Sequence, residues 1–172
     1  MEKSGDFGGV MKIECVETAY YRLPLEAMGD AGHGDIDTEE LITLNLHAEG
    51  LTGHGYSYTI GCRGHAMKSL IDDIVPMILG HDATDIRALW DLMWQRLLYV
   101  GRGGLASCAI AAVDVALWDL RGVREDRPLY ALLGAESREI PAYGREWTSR
   151  SRWTGCSHKR NASWSGAFPV SR

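Results

Sequence analysis

The histidines, paired carboxylates and one glycine-rich turn are the residues of this 172-residue chain whose types and spacing could do chemistry. His33, His47, His54, His65 and His81 would make a metal site if they converged. No pair among them has the i, i+2 spacing of a strand or the i, i+4 spacing of a helix, so the expectation is no metal ligand set. His33 stands apart, because Gly32 and Gly34 flank it and glycines let a loop come close to a ligand. Gly101-Arg-Gly-Gly104 could cradle a phosphate on backbone N–H groups, but it is too short for a P-loop and reads as a turn between helices. Asp114 and Asp119 are five apart and share no helix face, which favours capping or ion-pair roles over paired acid–base work.

These residues need elements to hold them. A strand-like run starts at Met11 and is expected to stop at Pro24, since proline removes a ladder donor. Glu26 to Glu40, rich in Gly, Asp and His, reads as a long loop. Leu41–Ala48 and Thr52–Ile60 alternate about Glu49-Gly50, a hairpin signature. Met67, Leu70, Ile71, Ile74, Val75 and Ile78 then recur at helical spacing, with a kink or break expected near Pro76 and an end at Gly80. Asp82 or Thr84 is expected to cap a second helix faced by Ile86, Leu89, Trp90, Met93 and Leu97. A third, from Leu105 to Leu120, is expected to end at Gly122, with Cys108 in its apolar stripe and small residues that let another backbone approach. Trp90, Trp94 and Trp118 read as packing residues in preference to sugar platforms. Pro128 to Gly134 suggests a short helical turn, and Glu139 to Tyr143 a strand.

The bulk numbers exclude several classes. An apolar fraction of 45% and a charged fraction of 24% fit a globular protein. No apolar run nears the ~20 residues of a bilayer span, and no signal-peptide stretch opens the chain, so the expected location is cytoplasmic. Cys15, Cys62, Cys108 and Cys156 form no CxxC pair and read as reduced thiols. A net charge of −5 gives no attraction to nucleic acid or an anionic membrane, which leaves a small molecule or a protein as partner. Residues 1–144 hold 12 Lys and Arg against 22 Asp and Glu, a balance of −10. Residues 145–172 hold 6 against 1, or +5, together with Trp147, Trp153 and Trp164 and no period near 2 or 3.6. That joint switch leads to the expectation that 145–172 is irregular, an out-of-frame or otherwise non-native tail.

Gly101-Arg-Gly-Gly-Leu-Ala-Ser-Cys-Ala-Ile-Ala-Ala-Val-Asp-Val-Ala-Leu-Trp-Asp-Leu-Arg-Gly122, followed by Arg127-Pro-Leu-Tyr-Ala-Leu-Leu-Gly134, resembles the end of the N-terminal capping domain in the mandelate racemase and muconate lactonizing branch of the enolase superfamily. Val75-Pro-Met-Ile-Leu-Gly-His-Asp82, Ile86-Arg-Ala-Leu-Trp90 and Gly55-Tyr-Ser-Tyr-Thr-Ile-Gly61 are similar to its acid-sugar dehydratases. The resemblance implies an α+β fold: a three-stranded antiparallel meander followed by three to four helices. It implies a domain plan of an extension at 1–10, a capping domain at 11–138, the start of the first barrel strand at 139–144, and the tail.

It further implies two loops that close over a barrel mouth, Met28–Ile36 with His33 and Tyr56–Arg63 with Tyr56, Tyr58 and Arg63. Tyr, His and Arg supply donors and flat surfaces for a polyhydroxylated acid substrate. The family's chemistry is abstraction of the proton α to a carboxylate with Mg2+ stabilising the enediolate, on barrel residues that the resemblance places beyond residue 144. The chain alone is therefore expected to carry no catalytic or metal-binding residue and to be inactive, and a homo-oligomer is among its expected partners. The competing expectation is a non-catalytic α+β interaction module whose third helix docks a protein partner.

Overall fold

A computed structural model of the chain describes residues 9–30, 34–60 and 63–135. Its elements run β1 (Cys15–Asp30), β2 (Gly34–Ala48), β3 (Leu51–Ile60), α1 (Gly64–Ile78), α2 (Ile86–Arg96), α3 (Leu105–Glu125) and α4 (Leu129–Leu132). The strands form one antiparallel sheet in the order β1-β2-β3, so the fold is the expected meander followed by helices. Glu49 and Gly50 both take positive φ between Ala48 and Leu51, the twist that a two-residue hairpin requires.

β1 does not stop at Pro24, and the expected loop over 26–40 is largely ladder. Pro24 pairs with Thr38, and pairing resumes at Met28↔Ile36 and reaches Asp30↔Gly34. β1 is an edge strand, where a missing N–H costs no ladder bond. The irregularity that follows, three residues of β1 (25–27) opposing one of β2 (37), absorbs the interruption as a bulge. The run from Met11 also differs from expectation: Met11 and Ile13 are buried, but they join the segment 81–83 through Ile13 N–H to the His81 carbonyl (3.0 Å) and Ala83 N–H to the Met11 carbonyl (2.7 Å).

One face of the sheet meets the helices. Ile42, Leu44, Leu46 and Ala48 alternate into the core, against Met67, Ile71, Ile74 and Ile78 of α1, Leu89 and Met93 of α2, and Ala109, Ala112, Val113, Ala116, Leu117 and Leu120 of α3. α3 packs on β3 and β2, α1 packs beside it on β1 and β2, and both α1 and α2 touch α3. α3 comes unusually close to β3, because Gly53 and Gly55 leave room: a Cβ on Gly53 would run into the Ala116 carbonyl, and one on Gly55 into that of Ala112. Asp119 fastens the same seam by accepting the His54 N–H of β3 at 2.8 Å, a strand–helix bond in place of the expected capping or ion-pair role.

The helix ends depart from expectation in three places. α1 passes through Pro76 to Ile78, giving up the one helical bond that residue 76 would donate to the Asp72 carbonyl. Asp85 caps α2, accepting the Ala88 N–H at 3.0 Å. Asp82 instead turns back to Met11 N–H and to both donors of Thr84. α3 continues past Gly122 to Glu125 and stops at Asp126, which is left-handed at φ 48°. Cys108 is exposed, so it is not a core residue; it lies on the side of α3 turned from the sheet. Trp90, Trp94 and Trp118 pack against the core as expected, with Arg102 over Trp94 and Arg121 over Trp118. The expected strand at 139–143 and the tail at 145–172 lie outside the described residues, as does most of the extension at 1–10.

Candidate functional site: one end of the sheet

The registers put the two expected loops at one place. The end of β1, the start of β2 and the end of β3 share one end of the sheet, with Asp30↔Gly34 closing one hairpin and Glu39↔Ile60 marking the last pair of the other. Tyr56 and Tyr58 stand within β3, not in a loop, and at 59% and 53% exposure they lie on the face opposite the core. Tyr58 is level with Leu41 and Tyr21, and Tyr56 with Thr43 and Ala19. Arg63 is exposed at the head of α1, in the left-handed conformation with φ 80° and ψ 10°. His33 lies outside the described residues.

A polar cluster just inside this end was not foreseen. Glu40 is only 5% exposed on the core-facing phase of β2. Its Oε1 accepts the Tyr20 hydroxyl at 2.7 Å, and its Oε2 accepts the Gly64 N–H at 2.6 Å. The Tyr20 ring lies against His65, 4.1 Å between centroids and tilted by 30°. The Tyr20 hydrogen bond, followed by that from Gly64, holds the Glu40 carboxyl below its ordinary range against the opposing effect of burial. The same hydrogen bond to Glu40, with burial, pushes the Tyr20 phenol up. The sequence carried a usable signal here: Glu40 falls in phase with Ile42, Leu44 and Leu46, and a carboxylate in that phase demands a partner.

The remaining polar groups have local work. His47 Nδ1 is 2.9 Å from Thr52 Oγ1 and His54 Nδ1 is 2.9 Å from Asn45 Oδ1. Lys68 bridges Thr18 and Asp72 on the α1–β1 seam. Among the described residues no three His, Cys, Asp or Glu side chains converge as a metal site would require. Asp114 is half-buried on α3, and burial alone raises its carboxyl above the ordinary range.

This order of strands and helices, with two segments meeting at one sheet end, has counterparts among known proteins. The profile described as "Mandelate racemase / muconate lactonizing enzyme, N-terminal domain" matches residues 17–134. The chain belongs to that family. Its described part is the family's N-terminal domain, the capping domain of the enolase superfamily. A 3,6-anhydro-alpha-L-galactonate cycloisomerase from Streptomyces coelicolor is 45% identical over 134 residues, which are 76% of this chain and 37% of that protein. The crystal structure of a racemase from Streptomyces coelicolor with bound magnesium superposes with a TM-score of 0.69 at 46% identity, covering 71% of this chain and 35% of that one. An L-talarate/galactarate dehydratase from Salmonella typhimurium, liganded with Mg and L-lyxarohydroxamate, gives 0.71 at 28% identity, covering 80% and 37%. The chain thus spans little more than a third of the relatives it matches. Among the described residues no helix is long and apolar enough to cross a membrane.

Proposed function

We propose that this domain caps the active site of a magnesium-dependent acid-sugar dehydratase or racemase and sets its specificity, the reaction being abstraction of the proton α to a carboxylate. The observation that carries the reading is the strand register, which brings the Met28–Ile36 hairpin end and the Tyr56–Arg63 segment to one end of the sheet. Closing such segments over a reacting centre excludes water and lets remote contacts select the substrate. His33, Tyr56, Tyr58 and Arg63 are the contacts in this reading, with Arg63 able to pair a carboxylate or hydroxyls bidentately.

The described residues do not fit a magnesium site. In this reading the ion and the base belong to the portion of the relatives that lies beyond the match, and no catalytic step is assigned to the residues described above. The proposed location is cytoplasmic, and the proposed partner a polyhydroxylated carboxylic acid.

The test joins residues 11–135 to the remaining two-thirds of the Streptomyces coelicolor cycloisomerase and follows turnover of acid sugars. Arg63→Ala and Tyr58→Phe should raise KM about tenfold or more while kcat changes less, as expected where a contact binds substrate and transition state alike. A chimera that turns over substrate with the same KM in wild-type and Arg63→Ala forms would overturn the assignment of specificity to this end of the sheet.

A further inference from the structure

α1 begins without the usual means of starting a helix. Its N-cap is Arg63, which makes no side-chain cap, and its first turn holds no acidic residue. The donor at Gly64 is satisfied from another element, by the Glu40 carboxylate of β2. Arg63 adopts a left-handed backbone that residues with a Cβ rarely take, so something outside the residue must hold it. Gly64 is walled in, for a Cβ there would stand 2.8 Å from the Tyr20 ring and 2.9 Å from the Glu40 Cβ. The Arg63 carbonyl then accepts the N–H groups of Ala66 (3.1 Å) and Met67 (3.4 Å), so its pose is continuous with the helix.

We propose that Glu40 is a positioning residue for Arg63: its buried carboxylate joins Tyr20 of β1 to Gly64 of α1 and thereby fixes where the arginine stands at the sheet end. The inference deepens the capping assignment and rests on it for the meaning of Arg63. Each carboxylate oxygen has one donor, so neither bond can be given up without leaving a buried charge short of a partner. The charged and titratable groups facing it are Tyr20 and Arg22 from β1 and His65 from α1. Glutamine can replace the carboxylate in both bonds, since its carbonyl accepts from Gly64 while its NH2 donates to the Tyr20 oxygen. Leucine can replace neither.

The experiment is residue-resolved amide exchange and pH titration by NMR on the full 172-residue chain. In Glu40→Leu, exchange at Gly64 and Ala66 should quicken about tenfold or more, as loss of a charge-assisted bond implies, while Ile71 in the middle of α1 keeps its protection. Glu40→Gln should restore Gly64 and Ala66. In the wild type the Gly64 amide resonance should move with one acid titration lying below the ordinary glutamate range, and Glu40→Gln should abolish that movement. Unchanged Gly64 protection in Glu40→Leu would overturn the proposal, as would equal losses at Gly64 and Ile71 in both variants. Should the leucine variant fail to fold, the titration decides: a Gly64 resonance indifferent to acid, or one that still moves in Glu40→Gln, overturns it. No substrate enters these measurements, so their failure is distinct from a failure of the chimera.

Discussion

Arg63 holds a conformation that costs a residue with a Cβ about 1 kcal/mol or more, at a position proposed above as a substrate contact. Arg63→Gly should therefore raise the stability of the chain by about 1 kcal/mol in urea unfolding, while weakening substrate selection in the chimera. A drop in the urea midpoint would show that the left-handed pose is unstrained. Glu40 and Asp114 act on stability with opposite signs. The folded-state carboxyl of Glu40 lies below its unfolded value, so its contribution is present above the unfolded pKa and is lost as pH falls through the folded one. The Asp114 carboxyl is raised by burial, so its contribution is present at acid pH and is lost as pH rises through the folded pKa. Asp114→Asn should accordingly raise the melting temperature at pH 7 and leave it nearly unchanged at pH 3. An equal rise at both pH values would refute the burial argument. Arg63 was reached through the family resemblance, which places it in the second cap loop, and Glu40 was missed because strand phase was not carried back past Leu41.

The seam between β3 and α3 shows how elements are fixed by what is absent from them. Gly53 and Gly55 interrupt a strand where larger residues would pack, yet they admit the Ala112 and Ala116 turns of α3 to near backbone contact. Gly55→Ala should destabilise the chain by about 3 kcal/mol, at the upper end for overpacking, because the Ala112 carbonyl is part of a helix and cannot swing aside. Thermal melting that shifts by less than a degree would mean that α3 can slide. Periodicity made the helices and the β2–β3 hairpin legible, since one phase of each is buried against the others. Punctuation was less readable, because a breaker's effect depends on place. Pro24 is harmless on an edge strand. Gly122 weakens a helix without ending it, and the Arg127 N–H bonds back to its carbonyl at 3.0 Å where the chain folds over. The stop comes at Asp126, ahead of Pro128.

Among the described residues, four helices cover one side of the three-stranded sheet. Tyr21, Leu23, Tyr56, Tyr58 and Ile60 remain exposed on the other, in neighbouring rows across β1 and β3. α3 likewise turns Leu105, Cys108, Ala111 and Val115 outward, the last at 42% exposure, so its alanines divide between a buried side and an open one. Contiguous apolar surface of this kind drives association or awaits a partner. The consequence is measurable on the chain itself: a dye that fluoresces in apolar surroundings should bind at neutral pH, and sedimentation should show mass rising with concentration. The two surfaces can be separated, because neither Tyr56 and Tyr58 nor Val115 supports the core. Tyr56→Ser with Tyr58→Ser should remove the sheet's share of the dye signal, and Val115→Lys the helix's share, each leaving the melting temperature within about two degrees, as expected for exposed positions. If both variants bind as much dye as the wild type, the apolar surface lies elsewhere and the covered-on-one-side account of this sheet is wrong.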